Sequence, residues 1–468
     1  MSDTINLKTI TALAVIVLIM IPEASFSRDN SLKGGLSIGL DNDNRSYDNY
    51  SDDYRRIVLT PMMQFTSLSE RDSLEMKVNP GIRYDLIDSG TDWDANLNLA
   101  AKRFMTKSWQ LGITNNFLRS DYQNTETGIL SDPANPPQVV APPSTEPQLS
   151  PNRYRTLYWL NTLNLFSENF YRENSSIRLG LGYDVLRNDD SIASGDQDYD
   201  RYTASVRNEH RYNPRWRSTL DMQFVRGIYK AIESNVTTGL TGYGQSGDLD
   251  EYHLLLGLDN DSIVHNPLSL TYNYIGTVYD ETSSNDTDVH QARLTWRRDF
   301  SPRMYTRLGA GPSYEKTEGT DANWSSNGIA EVNYSLEHGF VNFLVEKKYD
   351  TDNFSGSNEN GVVDSWNSSL SGSYQLQKDL TLSGVLAYTY EDRQQPVISQ
   401  SSGGVPQLEK YHKDIYVAGT VLKYGFWQFY NASIAYTYTK ENSEVVGDDY
   451  DDHRILLTLS WEKELFHW

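Results

Sequence analysis

The sequence contains no cysteine, which excludes a disulfide framework and any thiolate metal centre. Positive charge is also scarce: 41 Lys and Arg stand against 63 Asp and Glu, a formal net charge of −22. A general nucleic-acid binder needs an electropositive surface to attract phosphate, so no nucleic-acid partner is expected. Only 38% of residues are hydrophobic, too few to fill the two or three soluble cores that a chain of this length could hold. Beyond residue 21 no stretch approaches 18 consecutive apolar residues, so any later membrane crossing must use strands rather than helices. The zinc helix His-Glu-x-x-His, the nucleophile elbow Gly-x-Ser-x-Gly, a phosphate loop and a dinucleotide fingerprint are all missing, so no enzyme and no cofactor is expected.

What the chain has in quantity is aromatic residues, 12% of the total with 32 tyrosines and 10 tryptophans. Disordered chains are depleted in these. At the N-terminus, a short polar stretch to Lys8 precedes an almost wholly apolar run from Ile10 to Ile21, then Pro22 and the small residues Ala24 and Ser25. The apolar run is about 12 residues, short of the roughly 17–25 that a spanning helix needs, and the flanks match a secretory leader. Residues 1–27 are therefore expected to be a signal peptide, and 28–468 the exported domain.

Within 28–468 side chains alternate. Leu74, Met76, Val78, Ile82, Tyr84 and Leu86 share one face, and Glu75, Lys77, Asn79, Arg83 and Asp85 the other. Ile177, Leu179, Leu181, Tyr183 and Val185 repeat the pattern, as do Leu268, Leu270, Tyr272 and Tyr274. A period of two is the signature of a strand with one greasy and one wet side. About twenty such segments occur, near 31–41, 54–66, 72–87, 92–104, 108–122, 154–166, 173–187, 198–211, 216–230, 250–262, 268–280, 288–300, 304–316, 326–338, 340–350, 364–376, 380–392, 410–422, 427–440 and 451–464. Connections alternate between short turns (105–107, 213–215, 301–303, 338–339, 377–379) and long polar loops (42–53, 123–153, 188–197, 231–249, 351–363, 393–409, 441–450).

The expected fold is an all-β, transmembrane, antiparallel up-and-down β-barrel of about 20 strands, with 18–22 compatible, short periplasmic turns and long extracellular loops. Lipid then covers every apolar face, and closure removes the unpaired edges that hydrocarbon does not tolerate. Trp93, Trp109, Trp216, Trp427, Tyr390 and Tyr438 fall near strand ends, where an aromatic girdle sits. Pro61, Pro80 and Pro312 fall inside strands, where bulges are expected. The setting is the outer membrane of a Gram-negative bacterium, with lipid and lipopolysaccharide as neighbours.

The final run Ile455, Leu457, Leu459, Trp461, then Phe466 and Trp468, resembles the last strand of outer-membrane proteins, which implies the barrel-assembly machinery as a partner. It departs from that pattern at Glu462, Lys463 and Glu464, so a bulge or a protruding tripeptide is expected there. The turns Tyr212-Asn213-Pro214-Arg215-Trp216 and Phe300-Ser301-Pro302-Arg303-Met304 resemble those of porin-like outer-membrane β-barrel families, some members of which are associated with exopolysaccharide export. The resemblance implies a channel for small polar or charged solutes. Two alternatives stay open: a conduit of a polysaccharide export system with a periplasmic partner, and a structural sleeve around another protein.

If apolar residues face lipid, their alternates face the lumen. Arg178, Arg207 and Arg217 on three consecutive segments, and Arg293, Arg297 and Arg307 on another hairpin, are candidate pore-lining residues that draw anions by fixed charge. The competing reading is pairing within the wall to Glu209, Asp221, Asp299 and Glu315. The 123–153 loop, with seven prolines, is a candidate to fold inward and narrow the bore. Asp41, Asp43, Asp449 and Asp451 are weak candidates for a divalent cation between the first and last external loops, although Arg45 stands where a calcium loop needs an acid. His210 is the one outward histidine considered for chemistry; an interfacial role is the expectation.

Overall fold

The computed structural model describes residues 28–47, 51–121, 157–189, 197–230, 248–262, 266–280, 286–356, 361–398, 406–444 and 449–468. The expected leader, 1–27, and the segment 123–153 lie outside the described residues. Twenty strands follow in order: β1 (Asp29–Tyr47), β2 (Ser51–Leu68), β3 (Asp72–Asp85), β4 (Thr91–Thr106), β5 (Trp109–Ser120), β6 (Tyr158–Arg172), β7 (Ser175–Asn188), β8 (Tyr199–Asn213), β9 (Trp216–Tyr229) and β10 (Leu249–Asn260). They continue as β11 (Leu268–Tyr279), β12 (Thr287–Ser301), β13 (Met304–Thr317), β14 (Asn323–Leu336), β15 (Gly339–Thr351), β16 (Val362–Gln377), β17 (Leu380–Ile398), β18 (Pro406–Phe426), β19 (Tyr430–Ser443) and β20 (Tyr450–His467).

Each strand pairs antiparallel with the next, and β20 pairs antiparallel with β1, so the sheet closes on itself. The first and last strands are joined by more than main-chain bonds. Arg45 reaches Asp452 at 2.7 Å with both side chains buried, and Arg454 grips Asp41 through two contacts of 2.8 Å.

Alternation places Leu36, Ile38, Leu59, Ile82, Leu181 and Leu294 on the outside, all exposed for want of any protein to cover them. That surface is what a lipid bilayer satisfies. The strands run 12 to 21 residues, against about 9–11 needed to cross the hydrocarbon. The surplus explains where the sequence expectation fell short. Apolar alternation stops where lipid stops, but hydrogen bonding does not. The 42–53 and 393–409 segments, expected as long loops, are largely the continued ends of β1, β2, β17 and β18. Long and short connections do not alternate strictly either, since 86–90 and 318–322 are tight turns on the loop side.

The prolines did not produce bulges. Pro61 and Pro80 stand opposite each other between the paired positions Leu59–Ile82 and Met63–Val78, so two missing donors fall at one site and the register carries through. Pro312 interrupts pairing between Gln291–Ser313 and Leu294–Ala310, again without a shift. There Asn327 donates from its side-chain amide to the carbonyls of Ala292 (3.0 Å) and Pro312 (2.9 Å), which the lost ladder leaves open. The expected irregularity near Glu464 is present: the β1–β20 register shifts at Lys33, and the extra residue, Leu465, lies against Gly34.

Above the apolar band the outer face repeats one arrangement three times. Two tyrosines two apart on a rising strand bond to an Asp and a His on the next. Tyr272 bonds to His290 Nδ1 (2.7 Å) and Tyr274 donates to Asp288 (2.7 Å). Tyr388 donates to Asp414 (2.7 Å) and Tyr390 bonds to His412 Nδ1 (2.8 Å). Tyr436 bonds to His453 Nδ1 (3.0 Å) and Tyr438 donates to Asp451 (2.8 Å). The girdle thus meets its polar demand within the protein. Changing Tyr388, Tyr390, Tyr436 and Tyr438 together to Phe keeps the rings and removes four such bonds, each worth about 1 kcal/mol. Urea unfolding in lipid vesicles is expected to shift to clearly lower urea; an unshifted midpoint would mean that water and headgroups serve the partners equally well.

Candidate functional site in the barrel lumen

A barrel of this size has an interior to fill. Those of about 16–18 strands leave an aqueous channel and those of about 22 hold a plug. Here part of the filling comes from the chain itself. The pairing of β14 with β15 ends at Gly328–Lys347, whereas that of β15 with β16 continues to Thr351–Val362. The freed upper end of β15 crosses the inner face of the wall. Gln291 of β12 holds it by both main-chain groups of Tyr349 (3.0 Å each), and Arg293 reaches Glu346 at 2.7 Å. This delivers the connection after β15 into the bore.

Phe354, 7% exposed, is its tip. It packs into an apolar cluster formed by Leu118, Tyr158, Leu186, Tyr199, Val225 and Leu249, from the inner faces of β5 to β10. The Tyr229 ring stacks on it (6.1 Å between centroids, 11° between planes), Tyr199 meets it edge-on, and the Arg201 guanidinium lies 4.8 Å above it. Gly227 faces the ring so closely that a Cβ there would stand 2.7 Å from Phe354. Asn353 fixes the loop beside it. Tyr229 donates to its carbonyl, Tyr279 donates to its side-chain oxygen (3.0 Å), and its amide donates to Glu251. On the other flank Arg393 of β17 holds Asp352 at 2.7 Å.

This segment is distinct from 123–153, which lies outside the described residues. Its signal in the sequence is faint: one large aromatic in a run of Asp, Asn, Ser and Gly, and neighbouring apolar pairs such as Val185-Leu186 and Phe224-Val225, where a wet face is due.

The six arginines all face the lumen, in the half nearer the short turns or at mid-height. Arg178 and Arg207 stand directly opposite each other on β7 and β8, and Arg297 and Arg307 do so on β12 and β13. Five are paired: Arg207 with Glu209 (2.6 Å) and Asp221 (3.8 Å), Arg217 with Asp259 (2.7 Å), Arg293 with Glu346, Arg297 with Asp299 (2.9 Å) and Arg307 with Glu331 (2.9 Å). Glu315 is not a partner of this group; it accepts from Thr317 on its own strand (3.0 Å). Arg178 is the exception. Its guanidinium lies 3.8 Å over the Phe166 ring, and among the described residues no carboxylate is within ion-pair distance of it.

The upper lumen is more acidic. Arg56 and Arg83 share Asp121, with Asp85, Asp92 and Asp94 around them. Asp121 lies just past β5; burial pushes its carboxyl up, but the guanidiniums of Arg83 and Arg56 outweigh this and hold it below the usual range. At the outer rim Asp280 is held low by the hydrogen bond from Arg226.

The four cation candidates do not converge. Asp41 and Asp43 are not in a loop but inside β1 on the lumen face, where Asp41 is taken by Arg454. Asp451 points outward to Tyr438, and Asp449 accepts from the Ser443 main chain. Strand alternation puts Asp41 and Asp451 on opposite sides of the wall. His210 is outward, bonded to Tyr171 (2.9 Å) and against Tyr212, while Ser218 donates to Tyr212 instead.

A closed antiparallel cylinder, apolar outside and charged within, is a transmembrane β-barrel of the outer-membrane kind. The chain matches no protein-family model, and no curated protein matches it in sequence. Among solved structures it is similar in fold to Pseudomonas aeruginosa OccK2 (OpdF) in complex with glucuronate, at TM-score 0.43 and 13% identity over 93% of this chain and 98% of that one. It is likewise similar to P. aeruginosa OpdK with vanillate (TM-score 0.44, 11% identity, 92% and 99%) and to OpdQ (0.42, 10%, 94% and 98%).

Proposed function

We propose that the chain is an outer-membrane channel for small polar or charged solutes. The observation that supports this is a bore walled by charge pairs and partly filled by the protein's own 352–356 segment. Such a segment restricts what passes, and hydrated charge on the wall selects among solutes by sign. The same observation counts against a sleeve, since a protein threaded through the barrel would have to displace Phe354 and Asn353 from their contacts. Nothing in this reading requires chemistry on the solute.

Purified protein added to a planar bilayer is expected to insert in discrete, ohmic conductance steps. An electrically silent barrel whose fold is verified by circular dichroism would overturn the channel reading. Conductance blocked by acidic polysaccharide but not by its monomers would favour the export conduit.

A further inference from the structure

Arg178 breaks the rule that the other five arginines obey. Its register partner on β6 is Glu168, yet that carboxylate is occupied by Gln110 (2.7 Å) and Ser176 (3.0 Å). Its partner on β8 is another arginine, Arg207. Like charges directly opposite in a sheet repel, and here only Arg207 makes ion pairs within the described wall, while Glu168 faces Arg178 from the other side without reaching ion-pair distance. The arginine without an ion pair is also the one whose face is fixed, by stacking on Phe166. Stacking leaves the planar donor edge of a guanidinium free, and that fork matches the two oxygens of a carboxylate or phosphate.

Beside it opens a cavity of about 580 Å³ at the periplasmic end of β6 to β10, with Arg178 and Arg207 in its wall. Phe170, Pro214 and Trp216 supply apolar lining. That volume lies within the roughly 300–1,000 Å³ of small-molecule sites; the rest of the lining is polar, with Arg211 and Arg217 on the basic side and Glu168, Glu209 and Asp261 on the acidic side.

We infer that Arg178 is the binding station for a small organic oxyanion, a carboxylate or phosphate ester whose head meets the guanidinium and whose carbon body lies against the apolar lining. The anion gives Arg178 the ion-pair partner that the described wall does not supply. This rests on the channel reading for its purpose but not for its detection.

The test uses the full-length barrel, with inorganic phosphate and acetate as separate probes, on wild type and on the variants R178Q, R178K and F166A. In a KCl gradient, R178Q is expected to lower the anion-to-cation permeability ratio severalfold and to abolish block by either probe. R178K should retain selectivity but weaken block, since a point charge replaces a fork. F166A should weaken block at nearly unchanged reversal potential. If the wild type does not conduct, the channel reading fails, and calorimetric titration of the detergent-solubilised barrel still decides the site: heat with phosphate or acetate in wild type but not in R178Q supports it. Phosphate-only or acetate-only binding assigns the head group. Equal block or equal heat in wild type and R178Q overturns the inference, because Arg178 is exposed and its loss leaves the fold intact.

Discussion

Phe354→Ala is expected to raise single-channel conductance by about twofold or more, because the buried ring anchors the 352–356 segment to the wall and its loss frees that segment to leave the lumen. The ring is held on three sides by Tyr199, Tyr229 and Arg201 and on the fourth by the absence of a side chain at Gly227. Gly227→Val should break the same anchor from the other side, filling the niche so that the 352–356 segment loses its hold on the wall. The two substitutions address one contact, so their effects are not additive. In the Phe354→Ala background, Gly227→Val should add little further conductance. Planar-bilayer recordings of the two single variants and the double variant test this directly. Fully additive increments would mean that the ring and the niche act independently, contrary to their packing.

A second large effect is expected at Gly311. A Cβ there would stand 1.8 Å from the Ala292 carbonyl oxygen, with the neighbouring main chain also inside contact distance. A side chain end could turn away, but main chain cannot move without dragging β12 from β13. Overpacking of well-fitted interiors typically costs about 1–3 kcal/mol and occasionally more, and this case belongs at the upper end or beyond. Gly311→Ala should sharply reduce the fraction of barrel that resists unfolding on electrophoresis without heating. Gly384→Ala is the matched comparison, since its Cβ would meet the Gly419 carbonyl at an ordinary 3.4 Å. It should behave as wild type; equal loss in both would trace the defect to glycine content and not to the close approach.

Much of the fold was legible because lipid imposes a simple rule on each strand. Leu74, Met76 and Val78, or Leu268 and Leu270, must all face the same way, and a period of two is easily seen. Strand ends were less legible. Asp41, Asp43 and Arg45 look like loop, yet they are strand, because their partners Arg454 and Asp452 lie at the far end of the sequence. Local pattern carries no trace of a partner so distant.

The site divides in the same way. That the arginines face inward followed from alternation alone. Which of them keeps its charge did not, since it turns on Glu168 being taken by Gln110 and Ser176. The inward course of 352–356 was also beyond reach. It depends on β15 leaving β14 above Lys347, a break in pairing between strands whose sequences alternate normally.

Arg45 and Asp452 lie 407 positions apart along the chain. Bringing together ends so far removed costs about 5 kcal/mol in chain entropy, by the logarithmic dependence on loop length. Every other pair of neighbouring strands is consecutive in the chain, and β1 and β20 are not. The hoop is therefore expected to be joined last, and until the terminal strand arrives one edge of β1 offers a bare row of donors and acceptors to whatever strand comes near. A chaperone or insertase that shields β1 during that interval has a defined task. The two ion pairs at the joint, that of Arg45 with Asp452 buried, then act as a clasp that sets which edge meets which.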